Sequence, residues 1–521
     1  MPAVLHDEPV SDFSSLPTMM RYRWIFVLFI LCPLNMLFEF AMWAAAKLRR
    51  VSPELHDQRV RRVQDELRRA VAAKQRICTD RPGWMAMALR LNLYKASLRP
   101  IKMRDFVDIL SLDARQLVMR VEPFVTMAQV TERLAPLGLT LPVVPELDDL
   151  TVGGLVMGVG IESSSHAHGL FNDNCIAYEV IVADGSLVRA TADNEHSELF
   201  HALPWSYGTL GILVAAELRV QAAAPYVRLE YRCARTEEQV VDMFQAAHGP
   251  SASSADEGRV PDFVEGLAYS PTHAVIMTGM MAHTVPAGAT LNRIGRWHAP
   301  WFFEHARDMF FKTAASEAVV EYVPLRDYYH RHTRSVFWQM RELLPFGNHP
   351  LFRLLLGWVL PVKISMLKLS TPEAIGKVYE KKFVFQDMLV PAKSLRDSLR
   401  CFRDELGQYP LWLCGYRQRR TQPQGFLRPS TGGPDNELFV DIGAYGMPPA
   451  AAGAGFDVRA TVRRLEAFVA KHEGYQMLYA DTYMTEDEFR RMFDHTLHDR
   501  MRIKYGAAAV FPSIFSKVRK C

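Results

Sequence analysis

The spacing of apolar positions changes several times along this chain, and each change predicts a different element. Residues 24–46 are apolar almost throughout. As a helix such a stretch rises about 34 Å, enough to cross a bilayer. Pro33, Asn35 and Glu39 interrupt it. Asn35 and Glu39 stand four apart and share a helix face, which inside a membrane calls for a partner or a water-lined cavity. Trp24 and Trp43 fall where such a span meets its two interfaces. Residues 54–74 have helical periodicity, with Val63, Leu67, Ala70 and Val71 on one side. Strands are predicted over 117–121, 213–220, 260–271 and 274–281, a helix over 130–137 and an extended run over 139–144. Residues 178–186 read as strand, turn and strand about Asp184-Gly185. Segments 249–258, 418–436 and 448–455 have loop composition. Thr485 caps a predicted helix over 485–493, with Glu488 closing a capping box.

With 521 residues the chain exceeds one ordinary core, which predicts two soluble domains plus extras. A net charge of +4 gives no argument for a nucleic-acid partner. The seven cysteines are odd in number and include no Cys-x-x-Cys pair. That argues against a disulfide framework or a structural zinc site and for a reducing compartment. Arg21 and Arg23 precede the apolar stretch, whereas Lys47, Arg49, Arg50, Arg59, Arg61 and Arg62 follow it. The excess of positive charge after the span places the rest of the chain in the cytosol. A helix lying in the membrane interface is the second reading, favoured by Glu39. A signal peptide is the third, opposed by the lack of a small-residue cleavage site.

Residues 145–169 carry the most chemical information. Gly153, Gly154, Gly158 and Gly160 are followed by Ser163, Ser164 and Ser165. Glycines let backbone N–H groups approach an anion, and hydroxyls add donors, so a diphosphate is the natural guest. The spacing is not that of a Rossmann loop, because Ser163 holds the third glycine position. The cofactor-binding candidates are Thr151, Val152, Gly153, Gly154, Leu155, Val156, Met157, Gly158, Val159, Gly160, Ile161, Glu162 and Ser163. His166 and His168 have no third ligand nearby in sequence, so no metal site is predicted.

The string ELDDLTVGGL at 146–155, with GIESSSH at 160–166 and GLF at 169–171, resembles the diphosphate-binding segment of FAD-linked enzymes of the vanillyl-alcohol-oxidase superfamily. Within it the chain resembles the delta-24 sterol reductases, the Diminuto/Dwarf1 family. VEP at 121–123, FVEG at 263–266, LPFG at 344–347, QDMLVP at 386–391 and YPLWLC at 409–414 extend the likeness over nearly the whole chain. The resemblance implies an α+β fold. An N-terminal tail (1–23) and a transmembrane helix (24–46) precede a two-subdomain FAD-binding domain of the PCMH type (47–222). A substrate (cap) domain (223–521) follows, whose C-terminal segment returns to the flavin. It implies FAD held non-covalently, since the turn at 78–84 has no histidine for a covalent link, and NADPH as hydride donor. It also implies a sterol substrate and a place in the endoplasmic reticulum membrane.

The implied reaction saturates the delta-24 side-chain double bond. Other readings are an isomerase–reductase for delta-24(28) sterols, an FAD-dependent oxidase of a small alcohol or sugar acid, and a non-catalytic sterol- or calmodulin-binding scaffold. Reduction of an isolated alkene needs a proton donor on one side of the bond, hydride on the other, and little water.

Tyr479 and Asp481 are the candidate catalytic groups, because C-terminal residues of the superfamily return to the flavin, with Tyr483 as a second proton relay. A buried strand tyrosine beside a helix-start carboxylate is the competing reading. Gly208 and Gly211, in the segment 206–212, either close over the flavin or are ordinary turn residues. Tyr328-Tyr-His-Arg-His-Thr-Arg334 reads as a phosphate-binding patch for a nicotinamide dinucleotide or part of the FAD, a solvated basic face, or an RNA-like patch, and the resemblance favours a structural or flavin-adjacent role. The apolar runs at 351–369 and around Trp297, Trp301, Phe302 and Phe303 read as core or as a portal for a membrane sterol.

Overall fold

The computed structural model describes residues 22–48, 53–85, 93–250, 258–312, 318–371, 373–420, 423, 425–453 and 455–520. Arg21, Arg49, Arg50 and the 251–257 part of the predicted loop lie outside these residues, as do the side chains of Trp43 and Lys47. Two large antiparallel sheets with helices around them make the fold α+β.

The first sheet runs in the order Ile109–Asp113, Val118–Val121, Ile212–Arg219, Cys175–Ile181, Leu187–Thr191. Its central strand, Ile212–Arg219, is almost wholly buried, as its near-continuous apolar run requires. The predicted hairpin forms about Asp184 and Gly185. Gly185 adopts φ +83°, and Asp184 Oδ1 accepts from the Ser186 amide at 2.7 Å. Helix Pro53–Ala72 lies on this sheet through Val60, Val63, Leu67 and Ala70. Val71, expected on the same side, is exposed, because a position next to Ala70 lies about 100° round the helix. The helix predicted over 130–137 begins earlier, as Met127–Leu134. Thr126 and Gln129 form a capping box there, a start signal that apolar periodicity alone does not register. Of the extended run at 139–144, only Leu139–Thr140 pairs, with Gln221–Ala222.

The second sheet has eight strands in the order Val319–Pro324, Tyr226–Ala234, His273–Ala282, Phe263–Ser270, Leu411–Arg419, Asn436–Gly446, Val384–Pro391, Tyr475–Gln476. Every neighbouring pair is antiparallel. The strands predicted at 260–271 and 274–281 form the hairpin Phe263–Ser270 and His273–Ala282. The cap on Thr485 and its box with Glu488 start helix Glu486–Met492 as expected.

The N-terminal apolar stretch is helical from Arg23 to Leu48, passing through a π-helical turn at Val27–Leu31. That turn ends two residues before Pro33, which has no N–H to continue the α ladder. The part Arg23–Ala41 is long and apolar enough to cross a membrane, which fits a membrane protein. One side of it docks on the body. Arg23 donates to Tyr379 Oη at 3.0 Å and Thr371 Oγ1 at 2.7 Å, and Trp24 meets Phe346 edge-on. Asn35 bonds the Pro361 carbonyl at 3.5 Å and the Lys363 amide at 3.2 Å. Glu39 lies 3.7 Å from Lys363 Nζ. The polar face of the helix therefore has protein partners, while Phe29, Ile30, Leu34, Leu37 and Phe40 face outward.

Candidate active site

A cavity of about 940 Å³ lies between the glycine loop and the second sheet, near the top of the ~300–1,000 Å³ range of ligand pockets. Its two ends differ in chemistry.

The first end is built from close backbone packing. Thr151 is extended and stands at the N-cap position of the short helix Val152–Met157. A Cβ on Gly153 would stand 2.6 Å from Pro123 Cβ, and one on Gly160 2.8 Å from Phe171 Cβ. Glycine at both places draws this loop against its neighbours. Of the candidate residues, Thr151, Gly153, Gly154, Leu155, Met157, Gly158, Val159, Gly160 and Ile161 line the cavity. Val152 and Val156 turn into the core. Glu162 and Ser163 turn toward the second half of the chain, Glu162 to Arg331 and Ser163 to Tyr328. The second glycine segment reaches the same wall. Tyr207, Gly208 and Gly211 line the cavity, and the Tyr207 amide donates to the Met157 carbonyl at 2.8 Å. Trp205 and Tyr207 have positive φ, strain of the kind held at binding sites, and Gly208 adopts the same region without strain.

Three cations close this end. Arg81 donates to Thr151 Oγ1 at 3.3 Å, and its buried Nε has no partner. Lys95 donates to the Thr79 and Arg81 carbonyls, and Lys517 to the Tyr207 carbonyl. Burial lowers the pKa of all three, Lys517 to about 7 with Lys95 adding repulsion. An anion set among them would offset that cost.

The other end holds acids. Asp387, Glu146, Tyr445 and Tyr479 line it, with Trp412, Phe337 and Phe385 as apolar walls. The Tyr445 hydroxyl donates to Asp387 Oδ1, and the Tyr479 hydroxyl is close enough to favour its charged form. Burial pushes the Asp387 carboxyl up to about 7, against the pull of those two hydroxyls. Burial and the neighbouring Glu162 push Glu146 well up. Burial and the nearby Asp387 do the same to Asp441. Tyr479 is held in place by its own segment. The Met477 amide donates to the Asp387 carbonyl at 2.9 Å, and Gln386 and Gln476 both donate to the Asp481 carbonyl. Asp481 lines the cavity, but its carboxylate pairs with Lys520 Nζ at 2.6 Å. Tyr483 is not among the lining residues.

The Tyr328–Arg334 run joins the two halves of the chain. Arg331 is fully buried and bridges Glu162, at 2.7 Å, to Glu265, at 2.6 Å. His332 and Trp412 add hydrogen bonds to Glu265. Although buried, Glu265 is held well below the usual carboxylate range by Arg331 and His332. Tyr329 accepts from Thr140 Oγ1, and His330 bonds Thr131 and Asp148. Its place is structural and lies next to the glycine loop. His166 is buried with its ring nitrogens 2.9 Å and 2.8 Å from the Ser163 and Pro261 carbonyls.

A family model for an FAD binding domain matches residues 90–191, which include the glycine loop. Over 508 residues the chain is 46% identical to the Delta(24)-sterol reductase of Homo sapiens, covering 96% of this chain and 94% of that protein. It is 39% identical to the Delta(24)-sterol reductase of Arabidopsis thaliana over 525 residues, 96% of this chain and 92% of that protein. The Caenorhabditis elegans homologue of the same name is 37% identical over 514 residues. The chain belongs to the Delta(24)-sterol reductase family.

The residues present suit the family's flavin. The orphaned Arg81 Nε and the carbonyl-bound Lys95 and Lys517 offer positive charge to a diphosphate beside the cavity-lining Gly154. Sequence reasoning passed over Arg81, Lys95, Lys517, Glu146, Asp387, Asp441 and Tyr445. For Asp387 and Asp441 a signal was there: Asp387 is the one carboxylate in its strand and Asp441 sits between apolar Val440 and Ile442, and a buried acid is the informative exception. For Lys517 there was none, because nothing local to residues 514–518 marks a cation returning to a loop at Tyr207.

Proposed function

We propose that this chain holds FAD non-covalently and uses NADPH to reduce the delta-24 side-chain double bond of sterols. One observation carries the reading: the cavity joins a glycine-rich, cationic end to an acid-bearing end through apolar walls. Residues 47–222 form the flavin-binding unit and 223–521 the substrate unit. Thr151 to Ile161, with Arg81, Lys95 and Lys517, hold the diphosphate; Glu162 and Ser163 support the loop from behind through Arg331 and Tyr328. FAD, when bound, supplies hydride transfer. The protein binds and orients, excludes water, and keeps a proton at the alkene. Trp412, Phe337 and Phe385 shape the dry part around the side chain.

The same reading places the protein in the endoplasmic reticulum membrane, crossing once, with its body on the cytosolic side. Three features support it: the outward apolar face of the N-terminal helix, the basic residues after it, and exposed Leu351, Leu354, Leu355 and Trp358. Arg23, Leu367 and Tyr379 belong both to the helix dock and to the cavity wall, so a lipid-borne sterol has a short path inward.

The test is mass spectrometry of sterols after membranes carrying the chain receive NADPH and desmosterol. Saturation of the double bond is expected, and Gly154→Asp should abolish it. A Cβ at Gly154 already meets Thr151 Oγ1 at 3.1 Å and Arg81 at 3.6 Å, so an added carboxylate would occupy the anion's place. An FAD-containing preparation that leaves desmosterol unchanged would reject this substrate.

A further inference from the structure

Asp387 and Asp441 come from adjacent antiparallel strands. Asp387 stands opposite Gly443, and Asp441 opposite Leu389. Directly paired positions and positions two apart share a sheet face. Trp412, Asp441, Gly443, Tyr445 and Asp387 therefore all lie on the cavity side of the second sheet. Gly443 is what makes the arrangement possible. A Cβ there would collide with the Tyr445 hydroxyl and come within 2.8 Å of Asp387 Oδ1. Both carboxyl oxygens of Asp441 are buried without a hydrogen-bond partner. A charge left so would cost several kcal/mol, so this end of the cavity favours neutral carboxyl groups.

We propose that Asp387 is the acid that protonates the sterol side-chain alkene, with Tyr445 and Tyr479 orienting its carboxyl group. The proposal rests on the reductase reading above. An isolated alkene is a very weak base and needs the strongest neutral acid within reach. Tyr445 and Tyr479 are both cavity-facing, but burial beside Asp387 raises their pKa well above an ordinary phenol's. Asp481 is paired with Lys520. Asp387 is the cavity-lining carboxyl that accepts from the Tyr445 hydroxyl, with Tyr479 beside it. The titratable groups facing it are Tyr445 and Asp441 from its neighbouring strand and Tyr479 from the segment after Tyr475–Gln476. Glu146, on the glycine-loop side, acts on Asp441 and Tyr479.

In the step, the Asp387 O–H bond breaks and the alkene's π pair forms a new C–H bond. The positive charge falls on the more substituted carbon. Hydride originating in NADPH completes saturation, leaving NADP⁺. Asp387 regains its proton from solvent.

The experiment uses the full-length FAD-loaded protein in detergent, with NADPH and desmosterol, for wild type, Asp387→Asn, Asp387→Glu and Tyr445→Phe. Flavin absorbance and anaerobic bleaching by NADPH without sterol are read alongside turnover. For Asp387→Asn we expect turnover to fall by about a hundredfold or more, the usual scale of a lost general acid, with flavin content and bleaching unchanged. Asp387→Glu should restore part of the rate. The wild-type rate should decline as pH rises through neutrality, and Tyr445→Phe should displace that decline. Asp387→Asn turning over within about threefold of wild type, with the same pH profile, overturns the assignment. Should Asp387→Asn fail to retain flavin, an unaltered rate and profile in Tyr445→Phe overturns it instead. Wild type that carries FAD and bleaches with NADPH but reduces no sterol overturns the reductase reading itself.

Discussion

Arg331 gives its guanidinium to carboxylates from two distant parts of the chain, Glu162 at the end of the glycine loop and Glu265 on the second sheet. All three are fully buried. Removing one member of such a set leaves unpaired charge and typically costs about 3–5 kcal/mol. Arg331→Met should therefore lower the thermal midpoint by several degrees and loosen flavin, as differential scanning calorimetry and flavin absorbance would read. A midpoint equal to wild type would show that the bridge carries no net stability. Gly443→Ala tests a subtler point. It leaves the strand intact but forces Tyr445 away from Asp387, so activity should fall about tenfold or more while flavin content holds. At this scale the sequence was readable where chemistry is local. The Thr485–Glu488 capping box and the Asp184-Gly185 turn follow from neighbouring residues alone. The acid site does not, because Asp387 meets Tyr445 through strand register and Tyr479 through the remote segment after Tyr475–Gln476.

Among the elements, the N-terminal helix is the most instructive. Its apolar length was plain in the sequence, and its polar positions called for a partner without saying which. Residues 361–379 provide it, through the Pro361 carbonyl, Lys363, Thr371 and Tyr379. The outward apolar face is extended by the short helix Pro350–Leu356 and by Trp358. Replacing exposed Leu351, Leu354 and Leu355 with glutamate should reduce co-flotation of the full chain with phosphatidylcholine vesicles, with flavin content unchanged. Undiminished flotation would confine membrane contact to the first helix. Helix Pro53–Ala72 makes the complementary point: its buried stripe was legible from period 3.6, apart from Val71, whose exposure follows from the angle between neighbours on a helix.

Over the whole molecule, the cavity draws on positions from Arg23 to Lys520. Lys517 reaches Tyr207 across 310 positions and sits among other cations with its pKa lowered to about 7. A bound diphosphate would raise that value, because charge on Lys517 then gains a partner. Lys517→Met should weaken FAD binding by about tenfold or more, equivalent to ~1.4 kcal/mol, as titration of apoprotein with FAD by flavin fluorescence would show. In wild type, FAD affinity should fall as pH rises above about 7, and the variant should lose that dependence. Equal affinity in both would place Lys517 outside the anion site.

By itself the sequence indicated the N-terminal apolar helix, the capped helix after Thr485, the Asp184-Gly185 hairpin and where the glycine loop lies, but not strands such as Tyr226–Ala234, Val384–Pro391, Leu411–Arg419 and Asn436–Gly446. Apolar period, caps and turns act between residues a few positions apart, and a loop that approaches an anion needs glycine at set places. Only the tertiary structure decided which acids and which cations line the cavity, and what the Tyr328–Arg334 run does. Each of those depends on burial and on charges brought together from remote parts of the chain, and neither is a property of any local stretch.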